Sequence, residues 1–158
     1  MRNILSAFAA LGAVAASASA TLAATGNVPF TGVVTSTCVL TVGASGVLAP
    51  STDFTHLNSQ VAGGSAGTIA VLSTGTVFKV SAVAPTSFTA APTGGNSNVN
   101  FTASYSGSGA TSIGATPGTT LTSVNPGTTN LSVNLDAIKS AGTFDAGAYV
   151  TEVIVRCE

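Results

Sequence analysis

Val99-Asn100-Phe101-Thr102-Ala103-Ser104-Tyr105 alternates apolar and polar residues without a break, and its reading decides the fold. Successive side chains of a β-strand point to opposite faces, so this spacing predicts a strand with one face in a core and the other polar. Leu131, Val133 and Leu135 alternate with Ser132 and Asn134 in the same way. Working outward, Phe78, Val80 and Ala82 oppose Val77, Lys79 and Ser81. Tyr149, Thr151, Val153, Val155 and Cys157 oppose Val150, Glu152, Ile154 and Arg156. Towards the start, Val28, Phe30, Val34, Cys38, Leu40 and Val42 share one parity and predict a long or bent first strand. Residues 67–73 read as a further short strand and residues 119–124 as a weaker one.

Turn-formers separate these runs: Gly43-Ala44-Ser45-Gly46, Gly63-Gly64, Pro92-Thr93-Gly94-Gly95-Asn96, Pro117-Gly118 and Asn125-Pro126-Gly127. Each supplies a positive or a fixed φ that ends an extended run. Six to eight short, Thr-rich strands predict an all-β, antiparallel sandwich or barrel. A helical period is missing over any three turns; Leu135–Ser140 has room for one turn at most.

Composition narrows the function. Of 158 residues only 6% are charged, against about a quarter in an ordinary domain, while 45% are apolar. That balance excludes a nucleic-acid binder and a coiled coil, and it opposes charge-driven disorder. Most enzyme chemistry lacks the ionisable side chains from which sites are built.

Met1-Arg2-Asn3, the apolar run Ile4–Ala16 and Ala18-Ser19-Ala20 have the form of a signal peptide, with cleavage expected before Thr21. The apolar run is shorter than the roughly 20 residues that span a bilayer, and no membrane span is expected in the mature chain. Residues 21–158 then form one domain, long enough to bury a core. Its charges are Lys79, Lys139 and Arg156 against Asp53, Asp136, Asp145, Glu152 and Glu158, three against five, for a net −2. Cys38 and Cys157 stand near its two ends. In an exported protein an even pair reads first as an intramolecular disulfide, two free thiols and an intermolecular bond being the alternatives. Each cysteine shares the parity of its strand's apolar residues, so both should face the core. A bridge would bring first and last strands together, as an immunoglobulin-like Greek key permits.

Gly26-Asn27-Val28-Pro29-Phe30-Thr31-Gly32-Val33-Val34, followed by Thr37-Cys38-Val39-Leu40, is similar to the first strand of bacterial fimbrial subunits and spore-coat-U-like secreted proteins. Leu131–Leu135, the turn Ala146-Gly147-Ala148-Tyr149 and Val153-Ile154-Val155 resemble the last two strands of the same group. The resemblance covers the two ends of the domain and implies a structural or adhesive subunit of a surface assembly. Three features depart from it. Cleavage before Thr21 leaves only Thr21–Thr25 ahead of the first strand, too short to complete a neighbour's sheet. The second cysteine lies on the last strand, and the near-terminal Tyr is replaced by Arg156-Cys157-Glu158. Together these describe a self-contained domain locked by its own disulfide.

Few residues qualify for chemistry. His56, the only histidine, has Asp53 three residues away, but the segment reads as a solvated loop. Gly63-Gly64-Ser65-Ala66-Gly67 matches the nucleophile-elbow pattern without the strand before it and helix after it that the elbow requires. Asp136 and Asp145 flank a predicted turn and read as turn or edge residues instead of a glycosidase pair. Asn100 and Asn130 open glycosylation sequons on outward faces. No calcium loop, phosphate loop or metal set occurs, so no cofactor and no catalytic residue is expected. The leading expectation is a non-catalytic structural or adhesive protein in the periplasm, on the cell surface or outside the cell, with copies of itself or other surface subunits as partners. The alternative is a monomeric carbohydrate- or ligand-binding module.

Overall fold

A computed structural model describes residues 23–158, so the expected leader lies outside the described residues. The chain divides into two units, Met1–Gly32 and Val33–Glu158. Residues 23–32 of the first form no helix or strand and are exposed throughout.

The second unit is an all-β sandwich of ten strands: β1 (Cys38–Val42), β2 (Ala49–Pro50), β3 (His56–Asn58), β4 (Gly67–Ser73), β5 (Lys79–Val83), β6 (Val99–Gly109), β7 (Ile113–Pro117), β8 (Thr122–Ser123), β9 (Gly127–Lys139) and β10 (Ile154–Cys157). Its strands pair antiparallel in sheets of seven and three. The central strand of the larger sheet is β9. Along one side of it run β4 (Ser73↔Gly127 to Gly67↔Val133) and then β3 (Asn58↔Asp136 to His56↔Ile138). Along the other side runs β6, from Val99↔Lys139 to Gly109↔Thr129. β1 borders β4, β2 borders β3 and β7 borders β6. The smaller sheet has the order β10-β5-β8.

Alternation places the core. Ile69, Val71, Tyr105, Ile113 and Leu131 of the larger sheet meet Val80 and Ala82 of β5, with Val124 beside them. The stretch quoted first behaves as its pattern predicts: Tyr105 is buried at 1% exposure while Asn100 and Thr102 face out. The end of the large sheet formed by β3 and the last residues of β9 is covered by loops instead. Leu57, Phe88, Ala137 and Phe144 form a second core there, with Phe101 and Tyr149 packed on it. Phe88 meets Phe101 edge-on at 4.9 Å and Tyr149 at 5.0 Å. Asn96 holds Phe88 in place, its Oδ1 accepting from Phe88 N–H at 2.7 Å and its Nδ2 donating to Phe88 C=O at 3.1 Å.

One side of the sandwich is sealed by the chain itself. Gly118, just after β7, donates its N–H to Ala103 C=O on β6 and accepts from Ala82 N–H on β5, each at 2.8 Å. It therefore bonds to both sheets, and a Cβ there would clash with Ala82 O and lie 2.9 Å from Ala103 O. Beside it the buried Tyr105 hydroxyl lies 2.7 Å from Thr120 C=O, 2.7 Å from Thr122 Oγ1 and 3.1 Å from Val80 C=O.

Several expectations need correction. The first strand begins at Cys38, not near Val28. The ladder stops there because its partner β4 ends at Ser73, and Thr74 caps the junction. Thr74 Oγ1 accepts from Thr37 N–H and donates to Thr35 C=O, both at 2.7 Å. Pro29, with no N–H, interrupts the earlier stretch as well. Residues 135–140 make no helical turn; β9 continues to Lys139 because β3 and β6 pair with it on both sides. First and last strands do not pair as neighbours in a ladder: β1 edges the larger sheet and β10 the smaller one. β2, β3 and β7 were not expected as strands at all.

Candidate functional site

The side of the sandwich opposite Gly118 is open. β1 is paired only with β4, and β10 only with β5, which leaves each strand one edge without a ladder partner among the described residues. The Cys38–Cys157 disulfide ties these two edges together, with Cα atoms 6.4 Å apart across a sequence separation of 119. Cys38 opens β1 and Cys157 closes β10, so the bridge stands at one end of a cleft that both strands border. The cleft has a volume of about 1410 Å³. Leu40 and Val42 line it from β1, Val153 and Val155 from the last segment, and Leu57 and Leu135 from the sheet between. Leu40, Val153 and Val155 pack on the main core yet remain partly exposed, because no other described residue covers their outer side.

The segment before β1 carries apolar residues without a core of their own. Phe30 and Val33 are each 93% exposed, Val34 82% and Val28 73%. These side chains lie on a stretch that forms no strand or helix and are exposed together.

His56 lies on β3, not in a loop, and its neighbour is not Asp53. Its Nδ1 is 3.2 Å from Asp136 Oδ1 and 3.4 Å from Oδ2, both residues standing on the outer face of the large sheet. Parity along β9 places Asp136 on the outer face, since 132, 134 and 136 share the face of Asn100 and Thr102, but only the register with β3 brings it to His56. Asp53 belongs to the β2–β3 turn instead. The Ser51 hydroxyl donates to its carboxylate, and Thr55 adds side-chain and backbone bonds; these hold the Asp53 pKa at about 2, below the usual 3.8. Asp136 is the only side-chain partner of the imidazole among the described residues, and the Ser51 hydroxyl accepts from the His56 backbone N–H at 3.0 Å, not from the ring.

Ser65 sits in an irregular link whose N–H donates to Val47 C=O at 2.9 Å, and β4 follows it directly. That geometry is no elbow. Asp145 is exposed in the segment after β9, whereas Asp136 lies within β9. Asn100 and Asn130 are exposed on β6 and β9. No group of three or more metal-ligating side chains occurs among the described residues, and none of their helices is long and apolar enough to cross a membrane. No family model, curated protein or solved structure matches the chain.

Proposed function

We propose that the protein is an exported, non-catalytic structural or adhesive surface subunit that assembles with copies of itself. In this reading the Val28–Val34 segment of one copy lies as an added strand in the β1–β10 cleft of the next. One observation carries it: an apolar cleft bordered by two free strand edges occurs in the same chain as an exposed segment that alternates apolar residues. Strand addition joins such elements, main-chain bonds giving affinity and alternate side chains giving register. Seven residues extend about 23 Å at roughly 3.3 Å each, comparable to the stretch from Tyr149 to Cys157 that borders the cleft. Val28, Phe30 and Val34 share one parity, and Gly32 fills the remaining position with no side chain.

Burying three such side chains contributes about 5–9 kcal/mol, while ordering seven residues costs a similar amount at about 1–2 kcal/mol each. The ladder bonds gained along β1 and β10 therefore decide the net sign. A disulfide persists in oxidising compartments, which supports a place in the periplasm, on the cell surface or outside the cell. Low net charge lets copies approach closely.

Phe30→Asp tests the reading. Phe30 makes no core contact, so its loss should leave the thermal midpoint unchanged while fibres or ladders seen by electron microscopy and size-exclusion chromatography give way to monomer. A parent chain that stays monomeric at every concentration, or a variant that assembles like the parent, overturns it.

A further inference from the structure

A second concavity lies on the outer face of the large sheet, away from the β1–β10 cleft. It is a hollow of about 380 Å³ over β3, β9, β6 and β7. Asn58, Asp136 and Thr102 stand side by side across three strands, and Asn134 and Ser104 form the next outward pair. We infer that this hollow binds a neutral saccharide through its hydroxyl groups.

The polar groups in it are held in fixed orientations by the scaffold. Asn58 Oδ1 accepts from Gln60 N–H at 2.7 Å, which turns the amide NH₂ away from the backbone as a free donor pair. Asn134 is set by the buried Ser59. The Ser59 hydroxyl accepts from Leu135 N–H at 3.1 Å and donates to Asn134 Oδ1 at 2.9 Å, so this amide also leaves its NH₂ unused. A backbone N–H can only donate, so the Asn58 orientation follows from its bond, while at Asn134 the Ser59 hydroxyl donates to Oδ1. The carboxylate of Asp136 is steadied by His56 Nδ1 and keeps acceptor capacity on both oxygens. The result is two fixed donor groups, one fixed acceptor group and two hydroxyls, with strands about 4.8 Å apart.

A sugar hydroxyl both donates and accepts, and a ring presents several at comparable spacing. Neighbouring hydroxyls can give protons to Asp136 and accept from Asn58 or Asn134. Other ligand classes fit less well. An anion meets the Asp136 carboxylate, and no Lys or Arg lines the hollow to offset it. An apolar ligand strands the amide N–H groups without partners. No aromatic ring lines the hollow for stacking, so the affinity rests on hydrogen bonds and falls near the millimolar range, about 1 mM.

Titrating the full oxidised chain with D-glucose, D-galactose, D-mannose and their short oligomers, followed by amide NMR, tests the inference. Shifts should centre on Asn58, Thr102, Asn134 and Asp136. Asn134→Asp keeps the oxygen that Ser59 bonds and replaces the donor with a second carboxylate beside Asp136; Asp136→Asn keeps shape and removes the charge. Each should weaken binding about tenfold with an unchanged thermal midpoint. The inference is overturned if no saccharide shifts these residues, if shifts fall only in the β1–β10 cleft, or if both variants bind like the parent.

Discussion

The two flanks of the sandwich are closed by opposite means. At Gly118 the backbone passes between the sheets, bonded to each, and Tyr105 fills the space beside it with a buried hydroxyl. At the β1–β10 flank no ladder joins the sheets, and one sulfur bridge holds two bare strand edges together. The sealed flank leaves no room for another group. The bridged flank is held just as firmly at one point and stays open to a visitor elsewhere. A small sheet pair can thus keep an apolar cleft without unfolding, provided that a covalent tie holds the two unpaired edges together.

Removing the tie should have the largest effect. Cys38→Ala with Cys157→Ala loses about 4–5 kcal/mol by the chain-entropy relation for a loop of this size, read from urea unfolding. Amide exchange should rise first in β1 and β10; an equal rise in β6, β7 and β8 erases the distinction between the flanks. Gly118→Ala comes next, at roughly 3 kcal/mol, because the new methyl meets Ala82 O and disturbs two inter-sheet bonds. Here exchange should rise first around β7 and β8. Tyr105→Phe should cost about 1–3 kcal/mol in thermal unfolding, since it leaves polar groups of Thr120 and Thr122 short of a partner.

The smallest effect belongs to the exposed turn at the end of the open flank. Asp53 has its pKa lowered to about 2 by the Ser51 and Thr55 bonds, so its contribution is full above the ordinary 3.8 and fades as pH falls through 2. Asp53→Asn should therefore lower the thermal midpoint slightly at pH 7 and match the parent near pH 2. A gap that persists in acid contradicts that assignment.

Strands β6 and β9 were legible because each holds an apolar alternation long enough to identify its faces, and β4 because its short apolar run is bounded by turn-formers. β4 has the bounds, 67–73, that its composition indicates. β2, β3 and β7 escaped notice for a physical reason: they have two to five residues, rich in Gly, Pro, Thr and His, and are strands only because β3, β9 and β6 respectively offer them edges. Period alone also overextended the first strand. Val28 to Val42 keeps its parity across Pro29 and Gly32, but pairing depends on a partner, and β4 ends at Ser73. The cysteine pair was readable from number and parity. The cleft was not, since it depends on β1 and β10 ending in different sheets, each with one edge unpaired among the described residues. Asp136 was equally hidden, because its place beside His56 depends on register between strands 80 residues apart in sequence.

The bridge also makes residues 38–157 a closed covalent ring, with residues 23–37 as a tail in front of it. Pulled from its ends, such a lariat passes tension from sulfur to sulfur and leaves the sheets slack. Its reach grows only by the tail, whereas a reduced copy pays out on the order of 400 Å more contour. Single-molecule stretching with and without reductant would read that difference directly, and a filament linked near residue 38 would inherit the same inextensibility.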